Sequence, residues 1–276
     1  MAKKTAAQLE QEANELLQQA SGKKKAADAG PELSYEHQLD ALIQKGRSEG
    51  MLTFEELALF AQKQANTWYF GSKAGVEFST GIAQKIPGGE MTSFEGCSAI
   101  CDENGNLLFY TNGGGTPPNS VTGYYDGIIW NRNHEVIYNM TDSEGGNYSA
   151  TQSALFLPKP GDESILYLFT MADIQSDRGL SLFEIDLTLN NGIGEVSQYS
   201  EGIYANTLEA LTATQHANGK DYWLVCTDKD SWDFVVILIT EDGPQTPLFY
   251  PSEISPGSTS SRVLKISPDG KLLGLG

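Results

Sequence analysis

The stretch "SFEGCSAICDENGNLLFY", residues 93–110, decides the fold class of this chain. Its apolar residues fall into two short runs, residues 97–101 and 107–110, which are typical of β-strands. Between them lies Asp-Glu-Asn-Gly, residues 102–105, a set of residue types that favours a tight turn. The stretch therefore predicts an antiparallel hairpin.

The hairpin pattern recurs three times along the chain. The later copies are "QSALFLPKPGDESILYLFT" at 152–170, "LTATQHANGKDYWLVCT" at 211–227 and "RVLKISPDGKLLGLG" at 262–276. Starts taken at Cys97, Ser153, Thr212 and Leu264 lie 56, 59 and 52 residues apart. Two further strand-like runs follow each of the first three copies, and repeated units of four strands are typical of β-propeller blades. A β-sandwich, the alternative, predicts shorter and less regular spacing.

The predicted fold is therefore mainly β, an incomplete β-propeller of about three and a half four-stranded blades over residues 66–276. Residues 67–71 are expected to supply a strand of a further blade whose partner strand is missing. A propeller without its full ring leaves sheet faces uncovered, so we expect open faces at the first blade and beside the edge strand from Leu272. Self-association through these faces, sensitive to salt, is the expected consequence.

The charge is unevenly distributed. The chain of 276 residues has 18 Lys and Arg against 36 Asp and Glu, a net charge of −18, and residues 66–276 account for −16 of it. So acidic a surface repels phosphate backbones, which argues against nucleic-acid binding by the β part. No apolar run approaches the ~20 residues of a membrane helix. The first 25 residues lack the pattern of a signal peptide, so neither membrane insertion nor a cleaved leader is expected.

Residues 1–65 have a helical pattern. A helix and a Lys-, Gly- and Pro-containing linker are predicted over residues 1–30, and a helical hairpin over 31–65, where Thr53 and Glu56 form a capping box. The stretch "ALIQKGRSEGMLTFEEL" resembles region 1.1 of sigma-70 factors. That resemblance implies contact with RNA polymerase as one alternative function, although no promoter-reading helices follow. A plain helical hairpin is the other interpretation.

Six blocks of the β part, taken in order, resemble a known family. They are "NTWYFGSKAGVEFSTG", "FEGCSAICDENGNLLFYTNG", "IWNRNHEVI", "SATQSALFLPKPGDESILYLFT", "HANGKDYWLV" and "LKISPDGKLL". Together they are similar to the N-terminal β-propeller of large proteins secreted by the type IX route. The resemblance implies a recognition module at the cell surface or outside the cell. Because this chain has a helical segment in place of a signal peptide, a cytoplasmic location stays open, as does an origin as a fragment or fusion.

Several residues are candidates for chemistry. Glu95 and Glu209 each precede the first strand of a predicted blade, where strand starts face the central channel. They could bind a ligand, act with Asp126, His134 or His216 in a carbohydrate-active enzyme, or cap strand-end amides. Tyr124 and Tyr125 lie in the long Gly-rich insertion 112–127, which suits a carbohydrate or protein contact.

Metal and cofactor sites are not expected. "TDKDSWD", residues 227–233, lacks the glycine and distal glutamate of a calcium loop, so a solvated loop is predicted there. The three cysteines have no metal-binding spacing, and Cys97 and Cys101 are expected to be small apolar residues on one sheet face. "WNRNHEV" predicts a turn with Trp130 in the core. The favoured function is a non-enzymatic binding or scaffolding module for a protein or carbohydrate ligand.

Overall fold

The computed structural model describes residues 62–115, 127–140, 144–147, 149–174, 177–252, 263–267 and 270–276. The chain divides into two compact units, Met1–Ala61 and Gln62–Gly276. The helical predictions for residues 1–61, including most of the sigma-like segment, lie outside the described residues, and so do Asp126, Tyr124 and Tyr125. Within the described residues, no helix has the length and apolar character needed to span a membrane.

The second unit begins with a short 3-10 helix, Gln62–Ala65, and a three-stranded first sheet. Its antiparallel strands are β1 Thr67–Phe70, β2 Ala74–Glu77 and β3 Gln84–Lys85. The expectation that β1 lacks a partner strand is wrong. Gly71, with φ of 57°, lets the chain reverse directly after Phe70, so β1 pairs with the strand that follows it.

The second sheet contains the hairpin predicted from residues 93–110. Its strands are β4 Ser98–Cys101, β5 Leu107–Thr111, β7 Gly127–Asn131 and β8 Val136–Met140, paired antiparallel in that order. The hairpin turn is held by Asp102, whose Oδ1 accepts hydrogen bonds from the backbone N–H groups of Asn104 (2.9 Å) and Asn106 (2.8 Å). A small parallel pair, β6 Gly114–Gly115 with β9 Gly146–Asn147, lies outside this sheet.

The third and fourth sheets repeat the same strand order. The third consists of β10 Ala154–Lys159, β11 Asp162–Met171, β12 Leu180–Asp186 and β13 Glu195–Tyr204, with a helical turn at Leu189–Gly192. The fourth consists of β14 Thr212–Gln215, β15 Tyr222–Thr227, β16 Phe234–Thr240, β17 Gly243–Pro244 and β18 Leu248–Tyr250; the last two both pair with β16. A terminal hairpin follows, β19 Leu264–Ile266 and β20 Leu273–Leu275. The four hairpins and the mainly β class are confirmed.

Consecutive sheets stack face to face in chain order. Because side chains alternate across a strand, β11 directs Leu166 and Leu168 toward the second sheet and Tyr167 and Phe169 toward the fourth. Both faces of the third sheet are thus buried, which explains its long apolar runs. Tyr69 and Met91 pack against Tyr110 and Trp130, so the first sheet covers the second. The predicted first blade corresponds to the second sheet. The prediction that its outward face is open is therefore wrong.

The cysteines are free thiols. Cys101 and Cys226 are fully buried, whereas Cys97 is only partly so. Burial raises the pKa of Cys226 to about 12. Thiols held in the protonated form are poor nucleophiles and metal ligands, so Cys226 acts as a small core residue.

Candidate functional site

The chain segments that enter successive sheets converge at one end of the second unit. The N–H of Gly96, two residues before β4, donates to the carbonyl of Ala150 (3.2 Å). The N–H of Gln152, two residues before β10, donates to the carbonyl of Glu209, which precedes β14 (3.0 Å). These bonds join the entries of the second, third and fourth sheets. We refer to this region as the strand-start end.

Gln152 also joins the third sheet to the terminal hairpin. Its side-chain Nε2 donates to the carbonyl of Leu264 (3.1 Å), and its Oε1 accepts from the Leu264 N–H (2.8 Å). Val263 and Gly276 exchange both of their backbone hydrogen bonds, so the neighbouring Leu264 turns its own N–H and carbonyl away from β20. Gln152 satisfies both groups of a residue whose side chain is fully buried.

Two glycines allow the close approach at the strand-start end. A Cβ atom at Gly96 would lie 2.3 Å from the backbone nitrogen of Ser153. A Cβ atom at Gly113, where φ is 71°, would lie 2.1 Å from the Ser153 hydroxyl. Either contact is shorter than any real Cβ contact, so the entry to the third sheet requires glycine at both positions.

Glu209 is a buried structural carboxylate. It is 4% exposed, its Oε1 accepts a hydrogen bond from the backbone N–H of Ile174 (3.2 Å), and its Oε2 accepts one from the Thr151 hydroxyl (3.3 Å). The carboxylate thus satisfies a backbone amide in the loop between β11 and β12. This is the capping role that the sequence left as one of three alternatives.

Glu95 differs because it is exposed. Partial burial of its carboxyl group, followed by repulsion from the negative charges of Glu209 and Asp173, raises the pKa of Glu95 above its ordinary value. The structure therefore brings Glu95 and Glu209 into one electrostatic cluster, although the third sheet lies between their own sheets. Asp173, a third carboxylate that is buried, belongs to this cluster and is missed by the sequence.

The histidines lie elsewhere. His134 is in the predicted turn between β7 and β8, and its Nδ1 lies 3.0 Å from the Tyr110 hydroxyl, at the contact of the first and second sheets. Burial, the largest cause, raises the pKa of Tyr110 to about 12. His216 follows β14 and accepts a hydrogen bond from the Asn218 N–H at Nδ1 (3.1 Å). Neither histidine is hydrogen-bonded to the carboxylate cluster. Trp130, which precedes the turn of His134, is buried, as the sequence predicted.

The "TDKDSWD" loop is organised around a buried carboxylate, so the prediction of a solvated loop is wrong for Asp228. Its Oδ1 accepts from the N–H groups of Asp230 (2.9 Å) and Ser231 (2.7 Å), while its Oδ2 accepts from the Asn206 amide (2.8 Å) and the Tyr204 hydroxyl. Burial opposes ionisation, but these hydrogen bonds outweigh it and hold the pKa of Asp228 below its ordinary value.

Sequence reasoning missed Gln152 and Asp173. The only signal for either was position, since Gln152 stands immediately before a repeated hairpin and Asp173 shortly after its second strand.

In the described part of the chain, no group of three or more His, Cys, Asp and Glu side chains is placed to hold a metal ion. Comparison of the chain with protein families, curated proteins and solved structures finds no match.

Proposed function

We propose that residues 62–276 form part of a β-propeller, and the bond between Gln152 and Leu264 carries this proposal. Sheets that stack in parallel layers are ~10 Å apart, so the third sheet and the terminal hairpin, with the fourth sheet between them, would be ~20 Å apart. One glutamine side chain cannot span that distance. The bond therefore supports a stack of sheets that bends until the first strands converge, as blades do around a propeller axis.

The function we propose for this module is non-enzymatic binding or scaffolding of a protein or carbohydrate ligand, at its strand-start end. Two convergent carboxylates would be needed for glycoside hydrolysis, and Glu209 already uses both oxygens in hydrogen bonds within the fold. Glu95 is exposed at the same end and is therefore the residue we expect to contact a ligand. The net charge of −16 over residues 66–276 favours a basic partner.

One observation favours the enzymatic alternative. The raised pKa of Glu95 is the property required of a general acid in glycoside hydrolysis. The two functions differ in what the Glu95→Gln variant should lose, since an enzyme would lose turnover and a binding module would lose retention of its ligand.

The test uses the full chain, the Glu95→Gln variant and a matched Glu103→Gln control, which removes an exposed charge from the β4–β5 turn. Each is assayed for hydrolysis of a panel of polysaccharides and for retention on the same polysaccharides and on polylysine. We expect no turnover, and retention that Glu95→Gln weakens more than Glu103→Gln does. Turnover that depends on Glu95 would replace the binding proposal with the enzymatic one, and equal retention of the two variants would remove Glu95 from the site.

A further inference from the structure

The sequence contains four Asn-Gly pairs, at residues 104–105, 112–113, 191–192 and 218–219. Asparagine followed by glycine is prone to deamidation, because glycine has no Cβ atom to shield its backbone nitrogen from the asparagine side chain. That nitrogen attacks the side-chain amide carbon and closes a five-membered succinimide ring. In a folded chain, the pair that reacts is the one whose reacting groups are least restrained.

The fold restrains the first two pairs. Asn112 is 4% exposed, and its Oδ1 accepts a hydrogen bond from the Ile128 N–H (2.8 Å). Asn104 is exposed, but a Cβ atom at Gly105 would lie 2.4 Å from the side-chain nitrogen of Asn66, so that side chain covers the glycine. The asparagine of one pair and the glycine of the other are therefore held in place.

Asn218, in the turn between β14 and β15, is exposed but is held more firmly. Its Oδ1 accepts hydrogen bonds from the N–H groups of Lys220 (3.0 Å) and Asp221 (3.0 Å), and its Nδ2 donates to an Asp221 carboxylate oxygen (2.7 Å). The Gly219 N–H donates to the carbonyl of His216 (2.9 Å). Both reacting groups of this pair are therefore held by hydrogen bonds.

Asn191 and Gly192 lie in the connection between β12 and β13, and both are exposed. Within the described residues, none forms a hydrogen bond with the Asn191 side chain. A Cβ atom at Gly192 would have no atom within 4 Å, so the space beside this glycine is open.

The backbone before Gly192 is strained. Asn190 and Asn191 both have left-handed backbones, with φ of 49° and 57°, a conformation that costs free energy in any residue with a Cβ atom. Asn191 must leave this conformation before the glycine nitrogen can reach its side chain. The strain favours that departure, so it raises the population of reactive conformers.

We propose that Asn191 is the residue at which the folded chain deamidates. The Gly192 backbone nitrogen, having lost its proton to hydroxide, bonds to the Asn191 side-chain carbon Cγ, and the Cγ–Nδ2 bond breaks to release ammonia. Water then opens the succinimide at Cγ to give aspartate, or at the main-chain carbonyl to give isoaspartate. Either product adds one negative charge to the net −16 of residues 66–276.

Isoaspartate also changes the turn, because its methylene group becomes part of the main chain and lengthens the backbone before Gly192. The Gly192 carbonyl accepts a hydrogen bond from the Arg132 guanidinium (2.6 Å), which joins this connection of the third sheet to the β7–β8 turn of the second. We expect isoaspartate at position 191 to weaken that link.

The test is to follow deamidation of the full chain by peptide mapping with mass spectrometry. We expect Asn191 to react at least about tenfold faster than Asn218, whose side chain must first lose three hydrogen bonds. Asn104 and Asn112 should also be slower than Asn191, and the Asn191 reaction should be faster at alkaline than at neutral pH. Asn191→Gln should abolish the fastest modification and leave the rates of the other three sites unchanged.

The same chain unfolded in urea is the matched control. All four asparagines precede glycine, so their rates should become similar once the fold no longer restrains them. The proposal would fail if Asn104, Asn112 or Asn218 deamidated as fast as Asn191 in the folded chain. It would also fail if the preference for Asn191 were as large in urea, because the local sequence and not the fold would then select the site.

Discussion

Replacing Gln152 with alanine tests the proposed bend of the sheet stack most directly. The substitution removes two hydrogen bonds, to the N–H (2.8 Å) and the carbonyl (3.1 Å) of Leu264. A neutral hydrogen bond contributes a net ~1 kcal/mol to stability, and a buried group left without a partner costs ~1–3 kcal/mol. Because Leu264 is buried, we expect Gln152→Ala to lower the free energy of unfolding by about 3 kcal/mol.

Urea unfolding of the full chain measures that loss, and Gln245→Ala is the matched control. The Gln245 amide also donates two hydrogen bonds, to Thr240 (3.1 Å) and Gly243 (3.0 Å), but the residue is exposed and its partners are local. Gln245→Ala should therefore lower the free energy of unfolding by no more than about 0.5 kcal/mol. Hydrogen exchange of the Leu264 amide detects local opening of the terminal hairpin. Equal stability of the two variants, with unchanged protection of that amide, would refute the convergence of the strand starts.

Three further outcomes follow from the structure. Gly113→Ala should cost more than about 2 kcal/mol of stability in urea unfolding, because its Cβ would overlap the Ser153 hydroxyl. The control is Gly81→Ala, which should cost about 1 kcal/mol. Gly81 also has a positive φ (77°), but a Cβ atom there would have no atom within 4 Å. Glu209→Gln should lower the pKa of Glu95 in an NMR titration by removing a repulsive charge, and an unchanged titration would contradict the cluster. Asp228 has a lower pKa in the folded chain than its unfolded value of ~3.9, so its contribution is complete above that pH and is lost as the pH falls through the folded value. Asp228→Ala should therefore lower the free energy of unfolding by about 3 kcal/mol at pH 7. It should also reduce the loss of stability that the wild type shows as the pH falls. If the variant loses as much stability in acid as the wild type does, Asp228 does not contribute to that loss.

The candidate site could be predicted only in part. The sequence indicated that Glu95 and Glu209 precede repeated strands, but it could not distinguish their roles, because exposure depends on the sheets packed around each residue. The loop between β11 and β12 supplies the Ile174 amide that occupies Glu209, while Glu95 stays open. Gln152 carries no motif at all. Its importance arises from a contact with Leu264, 112 residues away, which no local pattern encodes.

The sequence by itself determined the strands and their order. Apolar runs with period two, broken by Gly, Asn and Asp turns, specify hairpins through local backbone preferences, and the recurrence of those hairpins specified repeated sheets. Only the tertiary structure decided which faces are covered. The first sheet closes over Tyr110 and Trp130, and the terminal hairpin leaves Leu248 and Tyr250 open. The hydrophobic effect is non-directional, so it favours burial of an apolar side chain without specifying which residue covers it. Which residue covers it depends on packing between segments that are distant in the sequence.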